Sequence, residues 1–304
     1  MTKFSTRCVI IGLICLAFIC LQYNFLFRVY FPHRVRTFRK PHPDALIIGV
    51  RKGGTRALLE ALNLHEAVRI VRKETHFFDA NYTLGTGWYA EQMPQVDAEE
   101  QIIIEKTPGY FTSKNAPKRV HQLNPKMKII LIVRHPVFRT ISDFTQVYYN
   151  KLEQNKTLPI LSIESFKIDE KSGKEVINLD YKPVSNSLYD VHFENWLKYF
   201  DLSQMHIVNG DVFRANPLNE LRRLETFLQL PRQIQASQLH FDRKKGFFCF
   251  ENLKKSSKIH CLGQSKGRKH REVSEKTQKK LADFFRFHNF QFFRLVNRTF
   301  SWDL

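Results

Sequence analysis

An apolar segment of the chain runs directly into a glycine-containing turn. Residues Ala45 to Arg56 read Ala-Leu-Ile-Ile-Gly-Val-Arg-Lys-Gly-Gly-Thr-Arg, and a helix is predicted to begin near Ala57. Two glycines let the backbone approach an anion, the following helix offers its free N–H groups, and Lys52 adds a mobile positive charge. A Walker A loop instead places its lysine after the second glycine. The pattern favours a nucleotide phosphate-binding loop without indicating ATP; the alternative is a strand-to-helix turn that uses two glycines for geometry alone.

A second group of reactive side chains lies between Lys73 and Asp79, in the sequence Lys-Glu-Thr-His-Phe-Phe-Asp. It sets Glu74, His76 and Asp79 around two phenylalanines, and a carboxylate placed against aromatic surface is suited to act as a general base. The alternative is a strand-end loop whose charges face solvent while both phenylalanines enter the core. The residues alone leave both interpretations open.

Charged residues also follow two further predicted strands. Lys106 lies in Glu-Lys-Thr-Pro-Gly-Tyr-Phe after the third strand, and Arg134 follows the fourth, with Arg139 and Ser142 on the next helix. The carboxyl ends of parallel strands meet at one edge of a sheet, where ligands bind. Core packing does not account for a cation at each strand end, so the repetition predicts one shared site.

These groups alternate with apolar strands and amphipathic helices. Strands are predicted at 46–50, 68–71, 102–105, 128–133 and 205–209, and helices at 57–64, 136–149, 189–200 and 217–228. Such alternation predicts an α/β fold with a central parallel sheet that helices cover on both faces. A hairpin is predicted at 244–262 and a long, aromatic-rich terminal helix at 273–295.

The N-terminal segment is almost unbroken apolar sequence over residues 8–27. About 20 apolar residues suffice to span a bilayer. A cleavable signal peptide is the alternative, but the apolar run is long for one and no small-x-small cleavage site follows it. We expect a tail at 1–7, an uncleaved transmembrane anchor at 8–27, a basic stem at 28–43 and one domain at 44–304. The positive-inside rule taken alone favours an outside N-terminus, because more basic residues follow the apolar run than precede it.

Two cysteines, Cys249 and Cys261, lie outside the apolar run and are separated by a short polar loop. They predict one disulfide-closed hairpin in an oxidising compartment. Two unrelated buried thiols are an alternative, as is half of a metal site, although no second Cys or His pair stands at ligand spacing. Three Asn-x-Thr sequons, at Asn81, Asn155 and Asn297, are predicted glycosylation sites and agree with a lumenal or extracellular domain.

The net charge of the 304-residue chain is +19, and residues 1–43 contribute seven basic and no acidic residues, which leaves +12 for the domain. A domain this basic is expected to bind an anionic partner. A lumenal domain rarely meets nucleic acid, so a sulfated polysaccharide is the expected partner. For any single lysine-rich run, a solvated surface is the alternative.

Five motifs occur in the following order: Ile-Gly-Val-Arg-Lys-Gly-Gly-Thr-Arg, His-Phe-Phe-Asp, Glu-Lys-Thr-Pro-Gly-Tyr-Phe, Ser-Asp-Phe-Thr-Gln-Val-Tyr-Tyr-Asn and Ser-Lys-Gly-Arg. In that order they resemble the heparan sulfate glucosamine 3-O-sulfotransferases, from Pro43 to the C-terminus. Related N-sulfotransferase domains usually carry a Lys-Thr-Gly-Thr-Thr type of loop. The resemblance implies a P-loop-like sulfotransferase domain in the Golgi lumen, held by a single-pass type II anchor. It also implies the sulfate donor 3′-phosphoadenosine 5′-phosphosulfate (PAPS), the product PAP and the acceptor heparan sulfate.

The resemblance further implies roles for individual residues. Glu74 is expected to be the general base for the glucosamine 3-hydroxyl, and the other catalytic residues are Lys52, His76 and Lys106. The expected donor-binding residues are Lys52, Gly53, Gly54, Thr55, Arg56, Arg134, Ser142, Phe248, Ser265, Lys266, Gly267 and Arg268. The expected acceptor-binding residues are Arg56, Lys73, Asp79 and Lys106, and the basic residues that could line a groove for the polysaccharide are Lys244, Lys245, Lys254, Lys255, Lys258, Lys269 and Arg271.

Two residues depart from the family's pattern. His135 stands where Asp is common, and Phe248 stands where a Tyr often precedes the cysteine, which would remove a hydroxyl near the adenine but keep stacking surface. No metal is expected, because the sequence has no His-x-x-x-His motif or clustered carboxylates. The alternative functions are a heparan-binding protein without turnover and an N-sulfotransferase; the missing Walker A order argues against a nucleotide kinase.

Overall fold

A computed structural model describes residues 22, 38–39, 41–98, 100–251, 258–263 and 269–302 of the chain. The predicted anchor at 8–27, apart from residue 22, lies outside the described residues, as do the predicted donor contacts at 265–268 and the groove residues Lys254 and Lys255. Within the described part of the chain, no helix combines the length and the apolar character needed to cross a membrane.

The described strands form four sheets. They are β1 (Phe38–Arg39), β2 (Ala45–Gly49), β3 (Val68–Ile70), β4 (Gln95–Val96), β5 (Ile102–Lys106), β6 (Lys128–Val133), β7 (Phe166–Ile168), β8 (Glu175–Ile177), β9 (Met205–Asn209), β10 (Leu239–Asp242), β11 (Phe247–Glu251) and β12 (Ile259–His260). The central sheet has the order β3-β5-β2-β6-β9, and every neighbouring pair in it is parallel. All five strands predicted for this sheet are therefore confirmed, each within one residue at either end.

Helices connect the strands of the central sheet. They are α1 (Thr55–Leu62), α2 (Gly85–Glu91), α3 (Ala116–Leu123), α4 (Pro136–Glu153), α5 (Leu161–Glu164), α6 (Lys182–Ser185), α7 (Tyr189–Leu197), α8 (Gly210–Ala215), α9 (Pro217–Leu228) and α10 (Glu275–Val296). The predicted helices correspond to α1, α4, α7, α9 and α10. The short helices α2, α3, α5, α6 and α8 were not predicted, because few turns carry little periodic signal.

Both faces of the central sheet are buried, as the continuous apolar strands predict. Side chains alternate along each strand, so Ile48 packs on one face in a cluster that includes Phe292 of α10. Ile47 lies on the opposite face, in a cluster with Leu58 of α1 and Leu221 of α9. The α/β architecture with a covered parallel sheet is thus confirmed.

Two antiparallel pairs lie outside the central sheet and were not predicted. Strand β1 pairs with β4, with Phe38 opposite Val96, although residues 38–39 belong to the segment predicted as a stem. Strand β7 pairs with β8 as a hairpin in the connection that follows α4. Both pairs have strands of two or three residues, too short for an alternating pattern to stand out.

The predicted hairpin near the C-terminus is part of a three-stranded antiparallel sheet, β10-β11-β12. It begins earlier than predicted, since β10 pairs with β11 from Leu239 opposite Phe250 to Asp242 opposite Phe247. Cys249 of β11 and Cys261 after β12 are joined by a disulfide, with Cα atoms 4.3 Å apart. The disulfide closes the loop that connects β11 to β12.

His135 begins helix α4 in the way an aspartate would. Its Nδ1 accepts a hydrogen bond from the backbone N–H of Val137 at 3.2 Å, and Pro136 occupies the first helical position. An acceptor side chain at this position satisfies a backbone donor that the first turn leaves free. The departure from Asp therefore preserves the helix cap.

A carboxyl group is fully buried near the end of β5. Glu105 Oε1 accepts hydrogen bonds from the hydroxyls of Thr107 at 2.5 Å and Thr75 at 3.4 Å. Burial raises the pKa of Glu105 from 4.5 to about 7, and the hydrogen bonds from Thr107 and Thr75 and the nearby charge of Lys106 only partly oppose this rise. Folding therefore favours the protonated form of this side chain.

We predict that Glu105 makes the protein less stable as the pH rises. Between about pH 4.5 and pH 7 the folded protein holds a proton that the unfolded chain releases, so the free energy of unfolding falls across this window. Relative to Glu105→Gln, which has no such proton, the wild type is expected to lose about 2.5 kcal/mol between pH 5 and pH 8. Urea denaturation of both proteins at the two pH values measures this difference. A difference that does not change with pH would contradict the prediction.

Candidate active site

The turn between β2 and α1 wraps closely against the neighbouring strand β6. A Cβ atom on Gly53 would lie 2.6 Å from the carbonyl oxygen of Ile132, so this position admits no side chain without movement of the backbone. Gly54 adopts φ +113°, a conformation that other residues rarely adopt. The helix that follows begins at Thr55, and its free N–H groups open at the carboxyl edge of the sheet. The predicted loop thus has the geometry of an anion-binding turn.

A buried aspartate holds the residue before Lys52. Asp143 of α4, whose side chain is 2% exposed, accepts from Arg51 Nε at 2.8 Å and from Arg139 at 2.9 Å. Arg139 also donates to the carbonyl oxygen of Arg51 at 3.1 Å. Burial alone would raise the pKa of Asp143, but the charges of Arg139 and Arg51 outweigh it and hold this pKa below its usual range. These contacts fix the loop backbone against α4.

A cavity of about 560 Å³ opens at the turn, and we call it the loop cavity. Eight of the predicted donor-binding residues line it: Lys52, Gly53, Gly54, Thr55, Arg56, Arg134, Ser142 and Phe248. The structure therefore brings together residues from four separated parts of the chain. The other four predicted donor contacts, at 265–268, fall outside the described residues.

Several further residues line the loop cavity without having been predicted for it. They are Ala57, Thr145, Gln146, Gly210, Phe213, Arg214, Pro217, Lys245, Gly246, Phe247, Phe250, Leu262, Lys269 and His270. Lys245 and Lys269 were expected in the polysaccharide groove instead. Phe213 and Arg214 follow β9, so the rule that sites form at strand ends would have identified them had it been applied to the fifth strand.

The loop cavity combines positive charge with an aromatic wall. The pKa of His270 is lowered by burial and then by the positive charges of Arg134, Arg214 and Lys52. The phenylalanines at 213, 247, 248 and 250 supply flat apolar surface in the same space. A phosphorylated compound with an aromatic base satisfies both features, since its ring can stack while its phosphates meet the cations.

Arg134 is held at the edge of this cavity by α8. Its Nε lies 3.2 Å from Asp211 Oδ1, and the other oxygen of Asp211 accepts the backbone N–H of His135 at 2.9 Å. A Cβ on Gly210 would lie 2.7 Å from the carbonyl oxygen of Val133, so α8 can start only with glycine this close to β6. The close approach sets the position of the arginine.

The second predicted group forms a chain of charged side chains. Lys106, 4% exposed, binds Oε1 of Glu74, whose side chain is 41% exposed. His76 Nε2 lies 3.5 Å from Glu74 Oε2, and His76 Nδ1 lies 3.0 Å from Asp79 Oδ2. In the order Asp79–His76–Glu74–Lys106, the carboxylate of Glu74 stays accessible to solvent while Lys106 and His76 fix its orientation.

This chain depends on the backbone around His76. His76 itself adopts φ +50°, and a Cβ on Gly109 would lie 2.6 Å from Asp79 Oδ2 and 3.4 Å from His76 Cε1. Gly109 lies in the short 3₁₀ helix Pro108–Tyr110 that follows β5. It was not predicted as a functional residue, and it leaves the space that the Asp79–His76 pair occupies.

Of the two interpretations left open for this segment, the one that places Phe77 and Phe78 against Glu74 is wrong. Phe77 and Phe78 are fully buried; Phe77 stacks on Tyr89 with ring centroids 4.3 Å apart, and Phe78 meets Tyr110 edge to face. The two phenylalanines anchor the loop in the core, as the alternative interpretation had it. The partners of Glu74 are instead the charged side chains described above.

Arg56 lies between the two groups. It lines the loop cavity, its NH2 lies 2.6 Å from Glu60 Oε1, and its NH1 donates to the carbonyl oxygen of Arg72 at 2.9 Å. Arg72 borders a second recess of about 460 Å³, lined by Val71, Arg72, Lys73, Glu74, Thr75, Asn81, Trp88 and Gln92. We call this the Glu74 recess.

The described residues contain one group with metal-ligand spacing, formed by Asp242, Cys249 and Cys261. Because the two cysteines are bonded to each other, their sulfurs are not free thiolates for a metal. Of the predicted groove residues not yet placed, Arg271 lies over the ring of Tyr148, 4.5 Å from its centroid, while Lys244 and Lys258 are exposed.

The chain is similar to known proteins over most of its length. A family model described as "Sulfotransferase domain" matches residues 42–294. The mouse protein heparan sulfate glucosamine 3-O-sulfotransferase 5 is 45% identical over 262 residues, 86% of this chain and 74% of the relative. Its human counterpart is 44% identical over the same shares, and mouse heparan sulfate glucosamine 3-O-sulfotransferase 3A1 is 42% identical over 87% of this chain and 65% of the relative.

Among solved structures, a sulfotransferase from Alicyclobacillus acidocaldarius superimposes with a TM-score of 0.62 at 17% identity, over 86% of this chain and 98% of that chain. At this identity the likeness concerns the fold alone. The family match spans most of the chain and includes both groups of site residues. The chain belongs to the sulfotransferase-domain family and, within it, to the heparan sulfate glucosamine 3-O-sulfotransferases.

Proposed function

We propose that this protein transfers a sulfuryl group from PAPS to the 3-hydroxyl of glucosamine residues in heparan sulfate. The observation that carries the proposal is the accessible carboxylate of Glu74, which binds Lys106. Its recess is also lined by Arg72, whose carbonyl oxygen accepts a hydrogen bond from Arg56 of the loop cavity. A base on one side and an anion-binding loop on the other are what transfer to a hydroxyl requires.

The residues of the loop cavity fit PAPS. Its phosphates would meet Lys52, the loop amides, Arg134 and Ser142, and its adenine would meet the phenylalanine wall that includes Phe248. The loss of a tyrosine hydroxyl at Phe248 leaves this stacking surface in place. When bound, PAPS supplies the sulfuryl group, and PAP leaves. The predicted contacts from Ser265, Lys266, Gly267 and Arg268 remain part of this proposal.

Glu74 would remove the proton from the acceptor hydroxyl as the new S–O bond forms. One of its oxygens binds Lys106 and the other faces His76, which Asp79 holds through Nδ1. This leaves few orientations for the carboxylate, so its lone pair can be aimed at the acceptor before the reaction.

Lys52 and Lys106 would neutralise the negative charge that spreads over the sulfuryl oxygens. Sulfuryl transfer resembles phosphoryl transfer in needing in-line geometry and charge stabilisation rather than a protein nucleophile. Both ammonium groups belong to the chain itself, and the mechanism requires no metal.

The Glu74 recess would receive the saccharide. Lys73 lines it beside Glu74, and Arg56 borders it through Arg72. Sulfate and carboxylate groups on the polysaccharide would pair with these cations, so binding is expected to weaken with salt. Nucleic acid is not an expected partner.

We infer that the domain works in the Golgi lumen, behind a type II membrane anchor at residues 8–27. The disulfide between Cys249 and Cys261 supports an oxidising compartment. The sequons at Asn155 and Asn297 are exposed on the surface, as glycan acceptors must be.

The test incubates the full-length chain with radiolabelled PAPS and heparan sulfate and maps the label by disaccharide analysis. Label on glucosamine O3 supports the proposal. Label on the glucosamine nitrogen would indicate an N-sulfotransferase. A folded chain that binds PAP and heparan sulfate but transfers no label would be a heparan-binding protein without turnover.

We predict that Glu74→Gln lowers kcat by about 100-fold or more, because a neutral amide cannot accept the proton. PAP affinity, measured by calorimetry, should not change, since Glu74 lies outside the loop cavity. The control is Glu194→Gln on α7, which removes an exposed carboxylate without touching the site. Transfer by Glu74→Gln at the original rate would remove Glu74 from the mechanism.

We predict that Gly109→Ala lowers kcat by about 100-fold, because the new methyl group displaces Asp79 and His76 by a fraction of an ångström or more. PAP binding is expected to remain. Gly87→Ala is the matched control, since a Cβ at Gly87 meets no atom within 4 Å. Equal activity of the two variants would show that the close packing at Gly109 is not needed.

A further inference from the structure

The triplet Asn81-Tyr82-Thr83 satisfies the glycosylation sequon, yet the side chain of Asn81 is engaged inside the structure. Its Nδ2 donates to the carbonyl oxygen of Thr75 at 2.8 Å, and its backbone N–H donates to the carbonyl oxygen of His76 at 2.8 Å. Asn81 therefore closes the loop that carries Glu74, His76 and Asp79. The nitrogen that a glycan would modify is the nitrogen that makes the first of these contacts.

Thr75 connects this contact to the interior. Its hydroxyl lies 2.9 Å from the hydroxyl of Tyr110, which in turn accepts the backbone N–H of Phe77 at 3.0 Å. Tyr110 thus fixes the side chain of Thr75, and Asn81 fixes its carbonyl group. Glu74 and His76 flank Thr75 in the sequence, so the fixed position of Thr75 restricts the backbone of both residues.

Asn81 also lines the Glu74 recess, together with Glu74 and Trp88. A sugar attached to Nδ2 would enter a space of about 460 Å³ in which the acceptor saccharide must reach Glu74. A glycan on Asn81 would therefore compete with the polysaccharide for the recess that contains Glu74.

The other two sequons lie in different surroundings. Asn155 is exposed just after α4, and Asn297 is exposed at the end of α10. Neither residue lines the loop cavity or the Glu74 recess. The three sites thus offer an internal comparison, with one asparagine engaged at the site and two on open surface.

We propose that Asn81 is a positioning residue for the Glu74 loop and carries no glycan in the active enzyme. Its carboxamide acts through the carbonyl group of Thr75, and it keeps the Glu74 recess open to the acceptor. This inference rests on the proposed function in assigning that recess to the polysaccharide.

The first arm of the test is a glycan map. The full-length chain is expressed in a secretory system, purified by PAP affinity so that only folded protein is kept, and digested for glycopeptide mass spectrometry. Peptides with Asn155 and Asn297 are expected to carry glycan, and the peptide with Asn81 is expected to be unmodified. Glycan on Asn81 in active enzyme would overturn the proposal. This arm is independent of whether the protein transfers sulfate.

The second arm separates the asparagine from its sequon. Thr83→Ala destroys the sequon at an exposed residue and leaves the carboxamide intact. Asn81→Ala removes the carboxamide, and Asn81→Asp replaces the donor with an acceptor that repels the carbonyl oxygen of Thr75. We expect Thr83→Ala to keep the wild-type kcat, Asn81→Ala to lose about tenfold and Asn81→Asp to lose more, with the KM for PAPS unchanged.

Rates are expressed per PAP-binding site, so that a loss of folded protein does not count as a loss of kcat. A wild-type kcat for Asn81→Ala would overturn the positioning role, and an equal loss in Thr83→Ala would show that a glycan, not the carboxamide, is what matters. If the Asn81 variants do not fold, the glycan map and Thr83→Ala still decide whether the active enzyme carries a glycan on Asn81. A wild-type enzyme that transfers no sulfate would contradict the proposed function instead.

Discussion

The register of β5 between β3 and β2 is the constraint on which the site depends. Ile104 pairs with Ile70 on one side, and Lys106 pairs with Ile47 on the other. All three strands are parallel, so the segments that follow them leave the sheet at the same edge. Glu74 follows β3, Lys106 ends β5 and the anion-binding loop follows β2, so the register of these strands brings all three to this edge. The contact between Glu74 and Lys106 is in this sense a property of the sheet.

Acidic side chains at this edge hold the segments and cations that line the loop cavity. Asp143 fixes Arg51 and thereby the loop before Lys52, and Asp211 holds Arg134. A buried carboxylate costs desolvation energy that only close, hydrogen-bonded cations offset. The contacts from Arg51 and Arg139 that offset the desolvation of Asp143 therefore also fix the positions of these two arginines. A site built to neutralise sulfate and phosphate gains its order from the acids behind it.

The sequence predicted the central sheet because its strands are apolar on both faces and short glycine or charged segments end them. It also predicted which residues line the loop cavity wherever a motif followed a strand. It could not place Gly109, since the need for glycine arises from Asp79 and His76 approaching from another segment. It left the placement of Phe77 and Phe78 open, because an aromatic pair next to a carboxylate gives the same pattern whether it faces the site or the core.

Three glycines at the site are required because neighbouring atoms occupy the space that a side chain would need. A Cβ on Gly53 or Gly210 would lie 2.6 or 2.7 Å from a backbone carbonyl oxygen, and a Cβ on Gly109 would lie 2.6 Å from the carboxylate of Asp79. Each one brings a functional segment closer to its neighbour than any larger residue permits. The loop, the Asp79–His76 pair and the helix behind Arg134 depend on these three approaches. Holding the charged groups of the site to within a fraction of an ångström therefore requires glycine at these three positions.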